Sequence, residues 1–354
     1  MIKINDRSIN KNKGNNTIFI SSKENKDKDK PKNTTYNSNN KFNMFSLAGC
    51  NMPELTSVQD MFRQTKYLQS INLSGCSMSK LKTIDRFFWE DNRNVISVPD
   101  QPNLTQFIAT EWNAGEITSL SNFFYKGDRS ESNDYLTSKF QDVYTPSGSG
   151  STQVGYAALS KVDFSGAKFN KVSNIEGMFK NCPYITSISF EGAKFGNEVE
   201  FAYAFYHCFN LKNINLNITN ADGNPVSVST ANNMFDFCPN LESISFQMND
   251  NNDGLAYFNT AKSTNMRSMF YNCKKLDEPY YRYLDYSSCT NISNMLYATS
   301  YTNIDFSDLS FPRLTNMSNV FSYMNVIDIS FRNCKMDVIE TISNNIGRYH
   351  RLQI

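Results

Sequence analysis

The chain has 354 residues, a formal net charge of +1, and 40% hydrophobic and 14% aromatic residues, enough for a continuous core. No stretch approaches the ~18 apolar residues of a membrane span, and the first 20 residues lack the apolar centre of a secretory signal, so neither a span nor Sec-type export is expected.

In chain order, the first element is an arm. Residues 1–41 hold Arg7 and nine lysines against Asp6, Glu24, Asp27 and Asp29, so a basic segment precedes a mildly acidic body. Runs such as 23–30 carry too little apolar surface to offset their ordering entropy, which predicts a flexible, solvated arm rather than a nucleic-acid ligand. Its opening, Met1 to Ile9, alternates apolar and polar residues and suits addition of a strand to another surface.

A repeat begins near Phe45: residues 47–52 (Leu47, Gly49, Cys50, Met52) return 26 residues later as Leu73, Gly75, Cys76 and Met78. Each unit predicts a short strand, as at 70–74 with Ile71 and Leu73 inward, then a turn, often with glycine. The apolar spacing Leu55, Val58, Met61, Phe62 then predicts a short helical turn. Ser57, Ser173, Asn265, Asn291 and Asn316 are placed to cap such turns, and Ser173 with Glu176 has capping-box spacing.

The anchors of those turns are Phe62, Phe88, Phe124, Phe179, Phe205, Phe235, Phe270, Leu296 and Phe321, spaced by 26, 36, 55, 26, 30, 35, 26 and 25 residues. A period of 25–26 residues means a stacked solenoid, since one such unit cannot bury its own apolar side. The longer steps carry insertions of loop composition at 128–154, 220–225 and 249–254. Residues 336–346 read as helical and, with the rest of 336–354, predict a terminal cap. The expected domains are therefore 1–41 arm, 42–335 solenoid and 336–354 cap.

Four of the eight cysteines, Cys182, Cys208, Cys238 and Cys273, each lie three residues after an anchor. That phase predicts a ladder of small buried thiols rather than disulfides, and without a Cys-x-x-Cys pair zinc lacks its usual ligand spacing.

The phrases at 264–270 (Thr264, Asn265, Met269, Phe270), 290–296 and 314–321 (Leu314, Asn316, Met317, Phe321) resemble the BspA-like leucine-rich repeats and the related repeats of mycoplasma surface proteins. The likeness covers about 44–334, most clearly 44–90 and 156–335. It implies an α/β repeat fold: a right-handed leucine-rich-repeat solenoid of about nine to ten coils, each a short strand plus a short helical turn. It also implies adhesion or protein binding, and cell-surface display.

Catalysis has few candidates. His207 beside Cys208 has Asn181, Phe237 and Asn272 at equivalent places, which argues for packing. Asn249 to Gly254 opens like a calcium loop, but the position that should hold a bidentate Glu is Thr260. The chain is therefore read as a non-enzyme without cofactor or metal.

Two surfaces remain. Outward strand positions Ser187, Ser189, Asn213, Asn215, Ser243, Ser245, Asn303 and Asp305 form a polar sheet face, the usual binding side of a solenoid. The run at 279–286 alternates, sending Tyr281 and Tyr283 to one face and Tyr280 and Tyr286 to the other. One set would replace missing core residues, and the other, beside Arg282, would form a binding patch. The expected function is recognition of a protein or glycan through the sheet face. The alternative is a structural or fibre protein of a bacteriophage virion, docked to neighbouring virion proteins by its N-terminal arm.

Overall fold

The computed structural model describes residues 2–4, 7–11, 18–22, 44–59, 61–62, 68–84, 87–88, 104–124, 159–248, 256–341 and 351–353. At the N-terminus, β1 (Ile2–Ile4), β2 (Arg7–Lys11) and β3 (Ile18–Ser22) pair antiparallel. Ile2 stands opposite Ile9, and Ile9 opposite Ile20. The segment expected to be a flexible arm thus contains a small sheet. The apolar run Ile18 to Ile20 supplies most of the third strand.

The solenoid follows. Its main sheet comprises β4 (Met44–Ser46), β5 (Ser70–Asn72), β6 (Gln106–Ile108), β7 (Lys161–Asp163), β8 (Ser187–Ser189), β11 (Asn213–Leu216), β14 (Ser243–Met248) and β15 (Ala256–Tyr257). These lie side by side in chain order, one per coil, all parallel except β15, which turns back along β14. Between them, β9 (Lys194–Phe195) pairs with β12 (Thr219–Asn220), and β10 (Glu198–Glu200) with β13 (Ser227–Thr230). A second parallel sheet joins β16 (Asn303–Asp305), β17 (Asp328–Ser330) and β18 (Arg351–Gln353). The middle residue of each solenoid strand points into one continuous core: Ile71, Phe107, Val162, Ile188, Ile214 and Ile244 are all buried.

The expected helical turns are not there. Among the described residues the only helical element is a 3-10 turn at Tyr280–Tyr283. At a typical corner, Met178 N donates to Ile175 O and Cys182 N to Phe179 O, each three residues back. The third residue of each turn, Gly177 (φ 58°) or Asn181 (φ 59°), is left-handed, the type II arrangement. The intervening amides turn along the axis instead of back down a helix: Gly177, Phe179 and Asn181 donate to the carbonyls of Ala202, Ala204 and Tyr206 at 2.9, 2.8 and 2.8 Å. Two consecutive turns place Ile175, Met178, Phe179 and Cys182 inward at the spacing of a helix face. Apolar periodicity therefore did not separate the two; a left-handed residue at every fourth position did.

The capping residues work within these turns. Ser57, Asn174, Asn265, Asn291 and Asn316 accept the amide two residues on, the local turn that Ser and Asn favour outside helices. The capping box at Ser173 and Glu176 gives way to Asn174, whose Oδ1 receives the Glu176 amide at 2.8 Å.

All nine anchors are buried. Phe62, Phe88, Phe124, Phe179, Phe205, Phe235 and Phe270 form one column, with ring centroids 5.2–5.9 Å apart and planes within 24°. The cysteines expected as a ladder sit beside it. Cys208, Cys238 and Cys273 donate to the carbonyls of Phe179, Phe205 and Phe235, one coil back, at 3.1–3.2 Å. All eight cysteines are free thiols, and burial pushes Cys208, Cys238 and Cys273 well above their ordinary pKa. Cys208→Ala should therefore cost on the order of 1 kcal/mol in urea unfolding, the loss of one small buried group and a weak hydrogen bond. Thiol titration of the denatured protein without reductant should recover all eight.

Residues 336–341 continue the solenoid where a helix was expected, and 342–350 lie outside the described residues. Ser310 bridges to Lys335, Asn316 to Thr341, and β18 adds to β17. Met336 and Ile339, one period after Phe311 and Leu314, pack against the core. Of the insertions, Asn220 closes its turn by accepting the amides of Asp222 and Asn224, whereas 128–154 and 249–254 lie outside the described residues.

Candidate functional site

The outward strand positions are where the alternation puts them. Asn213 faces Ser187 and Ser243 in register, and Asn215 faces Ser189 and Ser245. All six, with Asn303 and Asp305, flank buried central residues and remain partly or fully exposed. The two columns differ in chemistry. In the first, Ser243 donates to Asn213 Oδ1 across the strands at 2.7 Å, and nothing in the backbone depends on either side chain. In the second, the outward residue receives the amide two positions on: Ser189 from Glu191, Asn215 from Asn217, Asp305 from Ser307. These residues close the strand ends. Asn215→Ala should therefore lower stability by about 1 kcal/mol, while Asn213→Ala should stay within about 0.5 kcal/mol, both read from urea midpoints.

The tyrosine segment is not the alternating strand expected. Tyr280–Tyr283 is a 3-10 turn, and Tyr280, Tyr281 and Tyr286 are all buried. It falls where the two parallel sheets break. Ile244 N donates to Tyr280 Oη at 2.9 Å, and Asp305 N to Tyr281 Oη at 3.0 Å, so two phenol oxygens replace the carbonyls a strand would have offered. Tyr286 Oη donates to Tyr281 O, and Tyr301 Oη to Glu278 O. Arg282 reaches the Asp305 and Ser307 carbonyls and pairs with the Asp305 carboxylate at 3.0 Å. Tyr283 is half-buried and bonds Glu278. The segment splices two sheets. Its buried rings offer no surface, because a turn directs side chains on both sides of the chain toward the flanking coils.

His207 lies on a corner with φ 58°, its ring stacked on Tyr206 at 3.9 Å. Burial, then Lys180, lowers its pKa to about 4, so it is a neutral aromatic surface at ordinary pH. Cys208 beside it points into the core with its pKa raised, the reverse of an activated thiol. Thr260, the end of the supposed calcium loop, is buried and exchanges hydrogen bonds with Asp285. No group of three potential metal ligands occurs among the described residues, and no described helix is long and apolar enough to cross a membrane.

One surface escaped the sequence reading. Rings one or two residues past successive anchors run along the solenoid edge. His207 to Phe237 measures 4.9 Å, Phe237 to Tyr271 5.0 Å, Tyr271 to Tyr297 4.4 Å and Tyr297 to Tyr323 4.9 Å. The signal was present in phases such as Phe205-Tyr206-His207 and Phe270-Tyr271, but it shifts by one residue between coils.

Residues 199–334 match the family model described as "Mycoplasma protein of unknown function, DUF285". Over that stretch the chain is similar to that family. The resemblance read from the anchor phrase is borne out over the coils that carry it most regularly. A crystal structure of a leucine-rich repeat protein from Bacteroides ovatus ATCC 8483 is 12% identical, with 93% of this chain and 94% of that one aligned at a TM-score of 0.21. An overlap that low carries nothing further about this chain. No curated protein matches it.

Proposed function

We propose that the chain is a non-enzymatic recognition module that binds a protein partner through the solenoid sheet face. The observation behind this reading is the in-register parallel sheet, in whose first outward column Lys161, Ser187, Asn213 and Ser243 make no side-chain hydrogen bond to the backbone among the described residues. A flat, extended face of small polar groups accepts a large partner with little side-chain ordering. Neither the fold nor the matched family adds anything to the virion reading.

The test is the pair Asn213→Glu with Ser243→Glu, which places two charges on adjacent strands. The variant should melt like wild type, since both sites are surface. It should lose the proteins that immobilised wild type retains, because the new charges must be desolvated or opposed. Retention of the same proteins by both would exclude the sheet face.

A further inference from the structure

The small antiparallel sheet at the N-terminus is amphipathic in a way the solenoid does not need. Its strands have 3, 5 and 5 residues, and their register fixes which residues share a face. Cross-strand partners lie on the same face, and neighbours along a strand on opposite ones. One face therefore carries three rows: Ile2, Ile9 and Ile20; Ile4, Arg7 and Ser22; Lys11 and Ile18. The other carries Lys3, Ser8 and Ser21, then Asn10 and Phe19. Five of the six apolar residues in the three strands belong to the first face. Arg7 and Lys11 share it, one on each side of Ile9 in the middle strand.

A single layer of strands cannot bury such a face by itself; a second layer must cover it. The described residues of the solenoid offer no match. Their sheet face consists of Ser and Asn columns. Their exposed large apolar side chains are Met44, Tyr184, Tyr323, Ile327 and Val338, scattered from the first coil to the last. A second copy suits no better. Pressing two such faces together would set Arg7 and Lys11 of one against those of the other, and the three strands contain no acid to neutralise them.

Two requirements define the cover: a hydrocarbon layer for the isoleucines, and negative charge beside it for Arg7 and Lys11. A bilayer with anionic headgroups supplies both. Apolar residues enter the acyl boundary while flanking basic residues keep their charge at the level of the headgroups. An acidic protein surface supplies the charge without the hydrocarbon, and a neutral apolar patch the hydrocarbon without the charge.

We infer that the N-terminal sheet docks on an anionic membrane surface, with Ile2, Ile4, Ile9, Ile18 and Ile20 toward the acyl chains and Arg7 and Lys11 at the phosphates. The inference does not rest on the sheet-face reading. The test is cosedimentation of the full chain with two kinds of vesicle, phosphatidylcholine alone and equal parts phosphatidylcholine and phosphatidylglycerol. Wild type and Asn213→Glu/Ser243→Glu should bind the mixed vesicles alike, and the neutral ones about a hundredfold more weakly. Arg7→Gln/Lys11→Gln should bind the mixed vesicles roughly thirtyfold more weakly than wild type, for two cations lost from the surface. Which face is inserted is read from tryptophan fluorescence. Relative to wild type, the added emission of Ile20→Trp should be quenched by lipid brominated on its acyl chains. That of Phe19→Trp, on the opposite face, should not. Tryptophan suits a strand at either position, so both variants keep the sheet. The inference is overturned if the chain binds neither vesicle, if it binds both equally, or if Arg7→Gln/Lys11→Gln binds the mixed vesicles like wild type. Equal quenching at positions 19 and 20 would overturn it too. A dimer of the full chain that Ile9→Glu dissociates, without vesicle binding, would give the face to a second copy instead.

Discussion

Phe235→Ala should cost roughly 3–5 kcal/mol, the range for emptying a large aromatic site in a packed core. The ring is fully buried between Phe205 at 5.2 Å and Phe270 at 5.9 Å, with planes within 11 and 5°. Its removal breaks a column running through seven coils, and no neighbour on that column is free to fill the gap. The same residue's carbonyl receives Cys238 N and Cys273 Sγ, so any backbone relaxation spreads to the coil on one side. In a stack stabilised by nearest-neighbour interfaces, the loss should appear as a less cooperative transition as well as a lower midpoint. A urea transition shifted by under about 1 kcal/mol would show that the column is not the axis of the core.

The second large effect is one of pH. Asp236 is buried, with Oδ2 receiving Asn233 Nδ2 at 2.6 Å and no hydrogen-bond donor on Oδ1 among the described residues. Burial, only partly offset by Asn233 and Arg267, raises its pKa from 3.8 to about 7. The folded state thus keeps a proton that the unfolded chain gives up. Stability from this group is full below about pH 3.8, falls as the pH rises, and is lost once the pH passes about 7. His207 acts in the opposite sense: its folded pKa is about 4 against 6.5, so stability rises between those values and the two slopes partly cancel in wild type. Asp236→Asn leaves only the rise. Relative to wild type, the variant should gain on the order of 4 kcal/mol between pH 4 and pH 8, the size of a shift of about three units. Urea midpoints across that interval measure it, and a constant offset between the two proteins would contradict a buried, protonated Asp236.

The repeat made much of this fold legible. Anchors, cysteine phase, inward strand residues and outward polar columns all follow from a fixed period in which each coil must bury its apolar side against the next. The corners were not legible, for a specific reason. Residues such as Ile175, Met178, Phe179 and Cys182 point inward from two tight turns as they would from a helix, and only the recurrence of Gly or Asn at the left-handed position distinguishes them. The tyrosine segment was misread for a related reason. Alternation presumes a strand, yet β15 returns along β14 and occupies part of the edge a strand at 280–283 would have used. Phenol hydroxyls then complete bonds that no propensity rule anticipates. At the sheet face, the polar columns were visible, but their division was not. Asn215 and Asp305 close turns while Asn213 and Ser243 do not.

Every solenoid surface described here depends on corners built from left-handed turns rather than helices, since that geometry sends amides along the axis and rings to the edge. Far-UV circular dichroism of the full chain tests this directly. The account predicts a spectrum of β and turn character without the double minimum of α-helix. A spectrum with that double minimum, at a strength matching one short helix per coil, would contradict it.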